Sequence, residues 1–399
     1  MSRVIPPKRA KFGDMLVETN SLLAWRAEFP ILSTCTYLIS NSLGAMPART
    51  RQRLSEYADD WAVKGVVAWE KWLALVSRCG DLVGSIINAP AGQVIMQPNV
   101  SIAESILISC LDFSGPRNKV VYSDLEFPTI HYNWQAQADR GARFEIVKSS
   151  DCVTIDTQTL VDAIDETTLA VPISHVIFRS SYITDIKPIV EKAHRVGAMV
   201  FLDVYQSIGS VPIDVQALGV DALVGGALKW LCGGPGVAFL YVRPELYKKL
   251  QPRVVGWFSH RKPFDFDMSG LEFADNAWRY AGGTPNPAPL YAGLSGLEII
   301  NEIGVESIRQ RSVELTSLAV GAAQELELQI NSPLNSNSRG GHVTVDFPGS
   351  QAASEELIRR GFMVDYRPKA GVRIAPHFYN TSEEVSAVFE EIRSIIDCR

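Results

Sequence analysis

The sequence predicts an α/β fold, in which a large domain with a seven-stranded, mostly parallel sheet is followed by a smaller α+β domain. Three observations support this prediction. Between residues 90 and 243, short β-rich runs alternate with helical stretches, which is typical of a parallel sheet with helical crossovers. Beyond Pro244 the alternation stops. The length of 399 residues is sufficient for two domains.

Each strand of the large domain is predicted from a short apolar run bounded by turn residues. The predicted strands cover residues 94–97, 119–123, 143–147, 169–176, 199–204, 222–226 and 236–243. The predicted helices between them cover residues 101–111, 128–140, 156–165 and 186–196, with Gly197 as the C-cap of the last. Only residues 227–235 separate the last two strands, and a parallel crossover needs a dozen or so. We therefore expect the final strand to run antiparallel.

The second part of the chain begins with an irregular stretch, residues 252–289, that is rich in aromatic residues, glycine and proline. Its length without periodicity predicts a functional loop region. The elements expected after it are helices 290–303 and 305–328, strands 342–347, 362–366 and 372–375, and helix 382–396. The predicted division is an N-terminal arm with a small-domain segment (1–45), a large domain (46–285) and a small domain (286–399).

Composition excludes several classes of function. The chain has 38 basic and 44 acidic residues, a net charge of −6, which argues against nucleic acid as the main partner. No apolar run reaches the roughly 18 residues of a membrane-spanning helix, and the N-terminus lacks the apolar core of a secretory signal, so we expect a cytoplasmic protein. The six cysteines and six histidines are scattered, which predicts neither a disulfide framework nor a metal site.

Chemically distinctive residues follow the predicted strands. Ligands of open α/β sheets bind outside the carboxyl ends of the strands. Asn99 and Val100 follow the first strand at the start of a helix, Phe127 follows the second, Asp203 the fifth and Lys229 the sixth. A helix N-terminus binds phosphate, and a phosphorylated pyridine aldehyde also needs a lysine amine for a Schiff base and a carboxylate at its ring nitrogen. Each residue alone has an ordinary structural explanation, but together they predict a cofactor site.

Residues 201–242, FLDVYQSIGSVPIDVQALGVDALVGGALKWLCGGPGVAFLYV, resemble the core of the class V, fold type I enzymes that depend on pyridoxal 5′-phosphate. Three further segments resemble kynureninases within that class: residues 37–44 (YLISNSLG), 256–260 (GWFSH) and 372–376 (VRIAP). Residues 283–286 (GTPN) look more like the cysteine desulfurase branch. The resemblance implies pyridoxal 5′-phosphate as cofactor and an amino acid as substrate.

The resemblance also implies a role for each cofactor-binding residue. Lys229 would be the catalytic lysine that links covalently to the cofactor, Asp203 would pair with the pyridinium nitrogen, and Gln206 would bond the phenolic oxygen. Phe127 would stack on the ring, while Asn99 and Val100 would contact the phosphate.

Two more cofactor-binding residues, Trp257 and Thr284, occupy positions that in the family approach the phosphate from the other subunit. The resemblance therefore implies a homodimer with shared active sites.

The substrate-binding residues implied by the resemblance lie in other segments. Arg373 matches the arginine that binds the substrate α-carboxylate, a task suited to its bidentate fork. Asn41 and Ser42 belong to the segment 37–44 that resembles kynureninases, called the N-terminal signature below. Trp69 stands where kynureninases typically carry a histidine.

Several reactions stay open. The first is hydrolysis of the bond between Cβ and Cγ, as in kynureninase. The alternatives are a cysteine-type C–S lyase without a persulfide relay, a class V aminotransferase, and a cofactor-binding protein without activity. No cysteine occurs between Asp346 and Pro376, where a desulfurase would carry its persulfide-forming loop.

Overall fold

The computed structural model describes residues 21–398, so residues 1–20 of the predicted N-terminal arm lie outside the described residues. Within the described part, a seven-stranded sheet forms the centre of the large domain. Its strands are β2 (Val94–Gln97), β3 (Lys119–Ser123), β4 (Arg143–Val147), β5 (Thr168–Ser174), β6 (Met199–Asp203), β7 (Ala222–Gly226) and β8 (Ala238–Val242). Spatially they are ordered β2-β8-β7-β6-β5-β3-β4.

The strands from β3 to β7 pair in parallel, whereas β8 pairs antiparallel with both β7 and β2. This confirms the predicted mostly parallel sheet and its antiparallel final strand. β6 and β7 are buried along their whole length, as expected for parallel strands that are covered on both faces.

The described chain has α-helices before and between these strands. They are α1 (Thr50–Lys64), α2 (Trp69–Ile86), α3 (Val100–Ser109), α4 (Pro128–Gln135), α5 (Thr157–Ala163), α6 (Ile186–Val196) and α7 (Val215–Leu218). In α6 the buried residues are Ile186, Ile189, Val190 and Ala193, the spacing of one helix face. The helix ends at Gly197, whose φ of 78° is the left-handed conformation that glycine adopts readily. The predicted bounds and C-cap of this helix are confirmed.

The carboxyl-terminal part packs around a second core, which includes Leu315, Val345 and Phe389. Its elements are α8 (Pro287–Ile303), α9 (Val305–Glu325), β9 (Gln329–Ile330), β10 (Val343–Asp346), α10 (Ser350–Arg359), β11 (Phe362–Met363), β12 (Asp365–Arg367), β13 (Gly371–Ile374) and α11 (Ser382–Asp397). Four strands form an antiparallel sheet in the order β12-β13-β10-β9. Near the start of the described chain, β1 (Thr36–Tyr37) pairs in parallel with β11, and Leu38 joins this second core.

Some predicted elements differ from the structure. The predicted helix 128–140 ends at Gln135 and continues as a separate 3-10 turn, Ala138–Arg140, before Gly141 at φ 99°. The predicted helix 305–328 ends at Glu325, and Glu327 has a positive φ. The predicted strand 362–366 breaks at Val364, because β11 and β12 pair in different sheets.

Helices α1 and α2 were not delimited by the sequence pattern. Only Thr50 and Asp60 are buried in α1, so that helix shows no apolar stripe. Among the described residues, no helix combines the length and apolar character of a membrane span.

Candidate active site

The carboxyl ends of β5, β6 and β7 lie at one edge of the large sheet because these strands run parallel. A cavity of about 230 Å³ lies at this edge. It is lined by six residues predicted from the sequence: Asn99, Val100, Phe127, Asp203, Gln206 and Lys229. The fold therefore brings together residues that are up to 130 positions apart in the chain (229 minus 99).

Lys229 lies in the turn after β7, with its amine against two aromatic rings. Nζ is 4.4 Å from the ring centroid of Tyr205 and 5.7 Å from that of Phe127. Burial lowers the pKa of Lys229, and the negative charge of Asp203 opposes this effect. The site thus favours a neutral amine more than water does, and a neutral amine is the form that acts as nucleophile or base.

Asp203 is the last residue of β6 and is buried, with 7% of its surface exposed. Its carboxylate accepts a hydrogen bond from the backbone N–H of Tyr205 at 2.7 Å. Burial raises the pKa of Asp203, while that hydrogen bond and the charge of Lys229 lower it. A carboxylate held in such a poorly solvated place interacts strongly with any cation that enters the cavity.

The N-terminus of α3 forms another side of the cavity. The Asn99 side chain accepts a hydrogen bond from the backbone N–H of Ile102 at 3.0 Å, so Asn99 is the N-cap of this helix. The helix starts at Val100, and its first N–H groups and positive dipole end favour an anion here.

Gln206 connects the cavity to the N-terminal signature. Its Nε2 donates to the backbone carbonyl of Asn41 at 2.9 Å, and its Oε1 accepts from Trp230 Nε1 at 3.2 Å. The side chain of Asn41 is buried, and neither of its polar atoms has a hydrogen-bond partner among residues 21–398. Such an unpaired amide is costly unless a ligand group completes its hydrogen bonds.

Arg373 lies on β13 and is almost completely buried. Its Nε donates to Asp365 Oδ1 at 2.7 Å, its Nη2 donates to Asp365 Oδ2 at 2.5 Å, and its Nη1 donates to the carbonyl of Phe178 at 2.7 Å. The edge of this guanidinium that carries Nε and Nη2 therefore already binds a carboxylate of the same chain.

Trp69, Trp257 and Thr284 form a separate group that does not line the cavity. Trp257 Nε1 donates to Thr284 Oγ1 at 3.4 Å. The ring of Trp69 lies 6.1 Å from that of Trp257 and stacks at 6.3 Å on Phe258. In one chain, these three residues thus lie together but apart from Lys229.

Sequence reasoning missed three residues near the site. Tyr205 provides the ring nearest to the Lys229 amine, and its position two residues after the end of β6 was the available signal. Asp365 and Arg367 carry charges that act on Lys229. They lie on β12, a short strand of the second sheet, and no motif in the sequence indicated that their charges act on Lys229.

The family model described as Aminotransferase class-V matches residues 36–388. The chain belongs to the class V aminotransferase family. It is 34% identical to the uncharacterized aminotransferase YcbU of Bacillus subtilis, covering 92% of this chain and 96% of that protein. It is 30% identical to the kynureninase of Bacillus mycoides, covering 94% and 92% of the two chains.

Solved structures share the fold. The apo structure of the cysteine desulfurase from Thermococcus onnurineus NA1 superposes with a TM-score of 0.84 at 21% identity, over 94% of this chain and 98% of the other. The cystine C-S lyase C-DES, solved with cysteine persulfide, gives a TM-score of 0.83 at 21% identity, over 91% and 98% of the two chains. These likenesses confirm the predicted fold type I architecture, and the match to the family model confirms the predicted class V family.

Enzymes of this family use pyridoxal 5′-phosphate, and the described residues fit that cofactor. The cavity offers a helix N-terminus for the phosphate, a carboxylate for a protonated ring nitrogen, and an amine for the aldehyde. A side chain at Gly226 would place its Cβ 2.7 Å from the ring of Tyr205. Glycine at this strand end therefore allows the Tyr205 ring to lie against the backbone.

Proposed function

We propose that this chain is a homodimeric, kynureninase-like enzyme that acts at the β-position of an amino acid substrate, with hydrolytic cleavage of the bond between Cβ and Cγ as its reaction. The observation that carries the proposal is the position of Lys229, whose amine lies beside Phe127 and Tyr205 in the cavity that Asp203 lines. We place the enzyme in the cytoplasm, as predicted from the sequence.

Pyridoxal 5′-phosphate, when bound, supplies a pyridine ring that withdraws electrons from Cα of the amino acid. Lys229 acts as the catalytic residue: once the substrate is bound, its amine accepts the proton from Cα at Nζ. Asp203 holds a proton on the ring nitrogen by its negative charge. Phe127 would stack on the ring, and Gln206 would provide the hydrogen bond to the phenolic oxygen.

The N-terminus of α3, to which Asn99 and Val100 belong, would hold the phosphate. Trp257 and Thr284 contribute from the second subunit, which accounts for their position outside the cavity of their own chain. The ring of Trp69 lies beside that of Trp257. In the proposed homodimer Trp69 would therefore lie at the partner's active site and contact the substrate there.

None of the described cysteines lines the cavity around Lys229, which argues against persulfide chemistry. Cys232 is the cysteine nearest in sequence to Lys229; it is buried, and burial raises the pKa of its thiol to about 12. Sulfur transfer needs an accessible thiolate, which this residue does not provide. A desulfurase reaction is therefore not proposed.

A second candidate is a β-eliminating C–S lyase, which the segment Gly283-Thr284-Pro285-Asn286 favours. This reaction needs the same proton transfer to Lys229 but releases a sulfur leaving group from Cβ instead of adding water. A class V aminotransferase, the class named for the Bacillus subtilis relative, is the third candidate, and a cofactor-binding protein without activity is the fourth.

A panel of β-substituted amino acids distinguishes these candidates. The hydrolase releases alanine from β-acyl amino acids such as kynurenine, whereas the lyase releases pyruvate and ammonia from cysteine-type substrates. Pyruvate as the only product would overturn the proposed hydrolase. Neither product, together with a 2-oxo acid from the substrate, would identify an aminotransferase.

Covalent labelling tests cofactor attachment independently of turnover. Sodium borohydride reduces the lysine–cofactor link, and peptide mapping by mass spectrometry locates it. We expect the label on Lys229, and a label on another lysine would overturn the assigned role of Lys229.

A further inference from the structure

Trp230 follows Lys229 directly in the chain but does not line the cavity. Its side chain is buried, with 1% of the residue surface exposed. The indole Nε1 donates a hydrogen bond to Gln206 Oε1 at 3.2 Å, and Gln206 does line the cavity. The indole is therefore connected to the cavity by a single hydrogen bond to one of its lining residues.

The two hydrogen bonds of the Gln206 side chain determine the orientation of its amide. Its Nε2 donates to the backbone carbonyl of Asn41 at 2.9 Å. An indole N–H can only donate, and a backbone carbonyl can only accept. Turning the amide by half a rotation would place its NH₂ group against the N–H of Trp230 and its oxygen against the carbonyl of Asn41. Both hydrogen bonds would be lost, so these two neighbours permit one orientation of the amide.

This orientation leaves one donor of Gln206 unused. The NH₂ group has two hydrogens, and the Asn41 carbonyl binds one of them. Among residues 21–398, no second acceptor for Nε2 is present. Gln206 is buried, with 5% of its surface exposed, and a buried donor without a partner is costly unless a ligand completes its hydrogen bonds. The remaining N–H is therefore available to an acceptor that enters the cavity.

The carboxyl-terminal part of the chain holds Trp230 in place. His377 Nε2 lies 2.8 Å from the Trp230 carbonyl and donates to it, because a carbonyl only accepts. The rings of the two residues meet edge to face, with centroids 5.4 Å apart. A Cβ at Gly341 would lie 2.6 Å from an atom of the indole ring, so the glycine leaves the space that the indole fills. The position of the indole N–H is thus set before any ligand binds.

We propose that Trp230 is a positioning residue that acts through Gln206. Its indole N–H holds the Gln206 oxygen, so that the NH₂ group lies at Asn41 and offers its second hydrogen to the phenolic oxygen of pyridoxal 5′-phosphate. This inference rests on the proposed function, which assigns that oxygen to Gln206.

The hydrogen bond has a measurable consequence for the lysine–cofactor link. A donor stabilises negative charge on the phenolic oxygen, and it does so most when the neighbouring link has lost its own proton. The donor therefore lowers the pKa of the link. Visible absorption of the holoenzyme without substrate follows the protonation of the link, so a pH titration measures this pKa without turnover.

Trp230→Phe removes the indole N–H and keeps an aromatic ring. We expect the pKa of the link to rise by about one pH unit, as for the loss of one hydrogen bond. Gln206→Leu removes the amide itself and should give a rise of similar size. Trp72→Phe is the matched control, because Trp72 Nε1 has no hydrogen-bond partner among residues 21–398 and Trp72 does not line the cavity. This variant should leave the pKa of the link unchanged.

The double variant separates positioning from a general loss of structure. If Trp230 acts through Gln206, Trp230→Phe combined with Gln206→Leu has the pKa of Gln206→Leu alone, whereas independent effects would add. An unchanged or lower pKa in Trp230→Phe, an additive double variant, or an equal rise in Trp72→Phe would overturn the proposal.

A second substitution covers the case that Trp230→Phe does not fold. Trp230→Met fills the space with a flexible side chain that has no N–H, and the same rise is expected. Failure of this inference is distinguishable from failure of the proposed function. A rise in Gln206→Leu with none in the Trp230 variants refutes the positioning role alone. No rise in Gln206→Leu refutes the assigned role of Gln206 as well, while the borohydride label tests Lys229 separately.

Discussion

Two regions of the molecule differ in how their charges are held: the large-domain cavity around Lys229 and the second sheet around Arg373. In the large-domain cavity, the Lys229 amine faces aromatic rings, and burial disfavours its charged form. On the second sheet, the Arg373 guanidinium is fixed by Asp365 and the Phe178 carbonyl. A group that must gain and lose protons and bonds is thus left without a strong ion pair. A group that only binds is oriented in advance, which lowers the entropic cost of binding.

The largest effect is expected from Lys229→Ala in the large-domain cavity. This change deletes both the covalent attachment point and the group that accepts the proton from Cα, so turnover should fall by at least about 10⁴-fold. Rates with the best amino acid of the panel provide the measurement. Lys249→Ala, at an exposed position, is the control and should keep normal turnover. Normal turnover in Lys229→Ala would contradict the mechanism.

A smaller but still large effect is expected from Asp203→Asn. An amide retains an acceptor for the Tyr205 N–H but loses the negative charge, worth up to about 4 kcal/mol against a cation at close range with an effective dielectric constant near 20. We expect the turnover rate to fall by about 10²- to 10³-fold and the absorption spectrum of the bound cofactor to change.

Asp214→Asn is a suitable control for this prediction. Asp214 also accepts backbone N–H groups, at the start of α7, but does not line the cavity. An unchanged rate in Asp203→Asn would mean that Asp203 is only a turn residue.

The sequence predicts the cavity around Lys229 better than the surroundings of Arg373, for a physical reason. Parallel strands place residues such as Asp203 and Lys229 at one sheet edge whatever the details of packing, so position after a strand was sufficient evidence. The contact between Arg373 and Asp365 depends on the register of β12 against β13. The predicted strand 362–366 ran across the break at Val364, so the sequence pattern did not indicate this register. Arg367 lay just beyond that predicted strand and was not considered.

A similar limit applies to the residues placed outside the cavity. The motifs that contain Trp257 and Thr284 indicate a role at the phosphate, but the geometry of one chain places them with Trp69 in an aromatic group. Whether they reach a cofactor depends on the contact between two subunits. Their roles, and the predicted domain boundaries, stay predictions.

The smallest expected effect concerns the stability of the large domain behind the cavity. Glu104 of α3 is buried and accepts hydrogen bonds from Trp134 Nε1 at 2.7 Å and Asn133 Nδ2 at 2.9 Å. Burial raises its pKa from 4.5 to about 7, although these hydrogen bonds oppose the shift, and the nearby charges of Asp203 and Glu126 add to it.

The sign of the pH effect follows from the raised pKa. The folded state keeps the Glu104 proton between pH 4.5 and about 7, whereas the unfolded state loses it. The contribution of Glu104 to the free energy of unfolding is therefore fully present below pH 4.5 and is lost as the pH rises to about 7. Above that pH, folding must keep a charged carboxylate buried. The total loss is about 3 kcal/mol.

Glu104→Gln tests this prediction, because glutamine resembles the protonated carboxyl group and does not titrate. Relative to the unmodified protein, the free energy of unfolding of the variant should rise by about 3 kcal/mol between pH 4.5 and 7.5, as measured by urea denaturation. Other groups that titrate in this range, such as His175, whose pKa burial lowers to about 4, are common to both proteins and cancel. Glu390→Gln, at an exposed position of α11, is the control for the loss of a carboxylate. A difference that does not vary with pH for Glu104→Gln would mean that Glu104 is ionised in the folded protein, and that the interior of the large domain behind Asp203 is better solvated than its burial indicates.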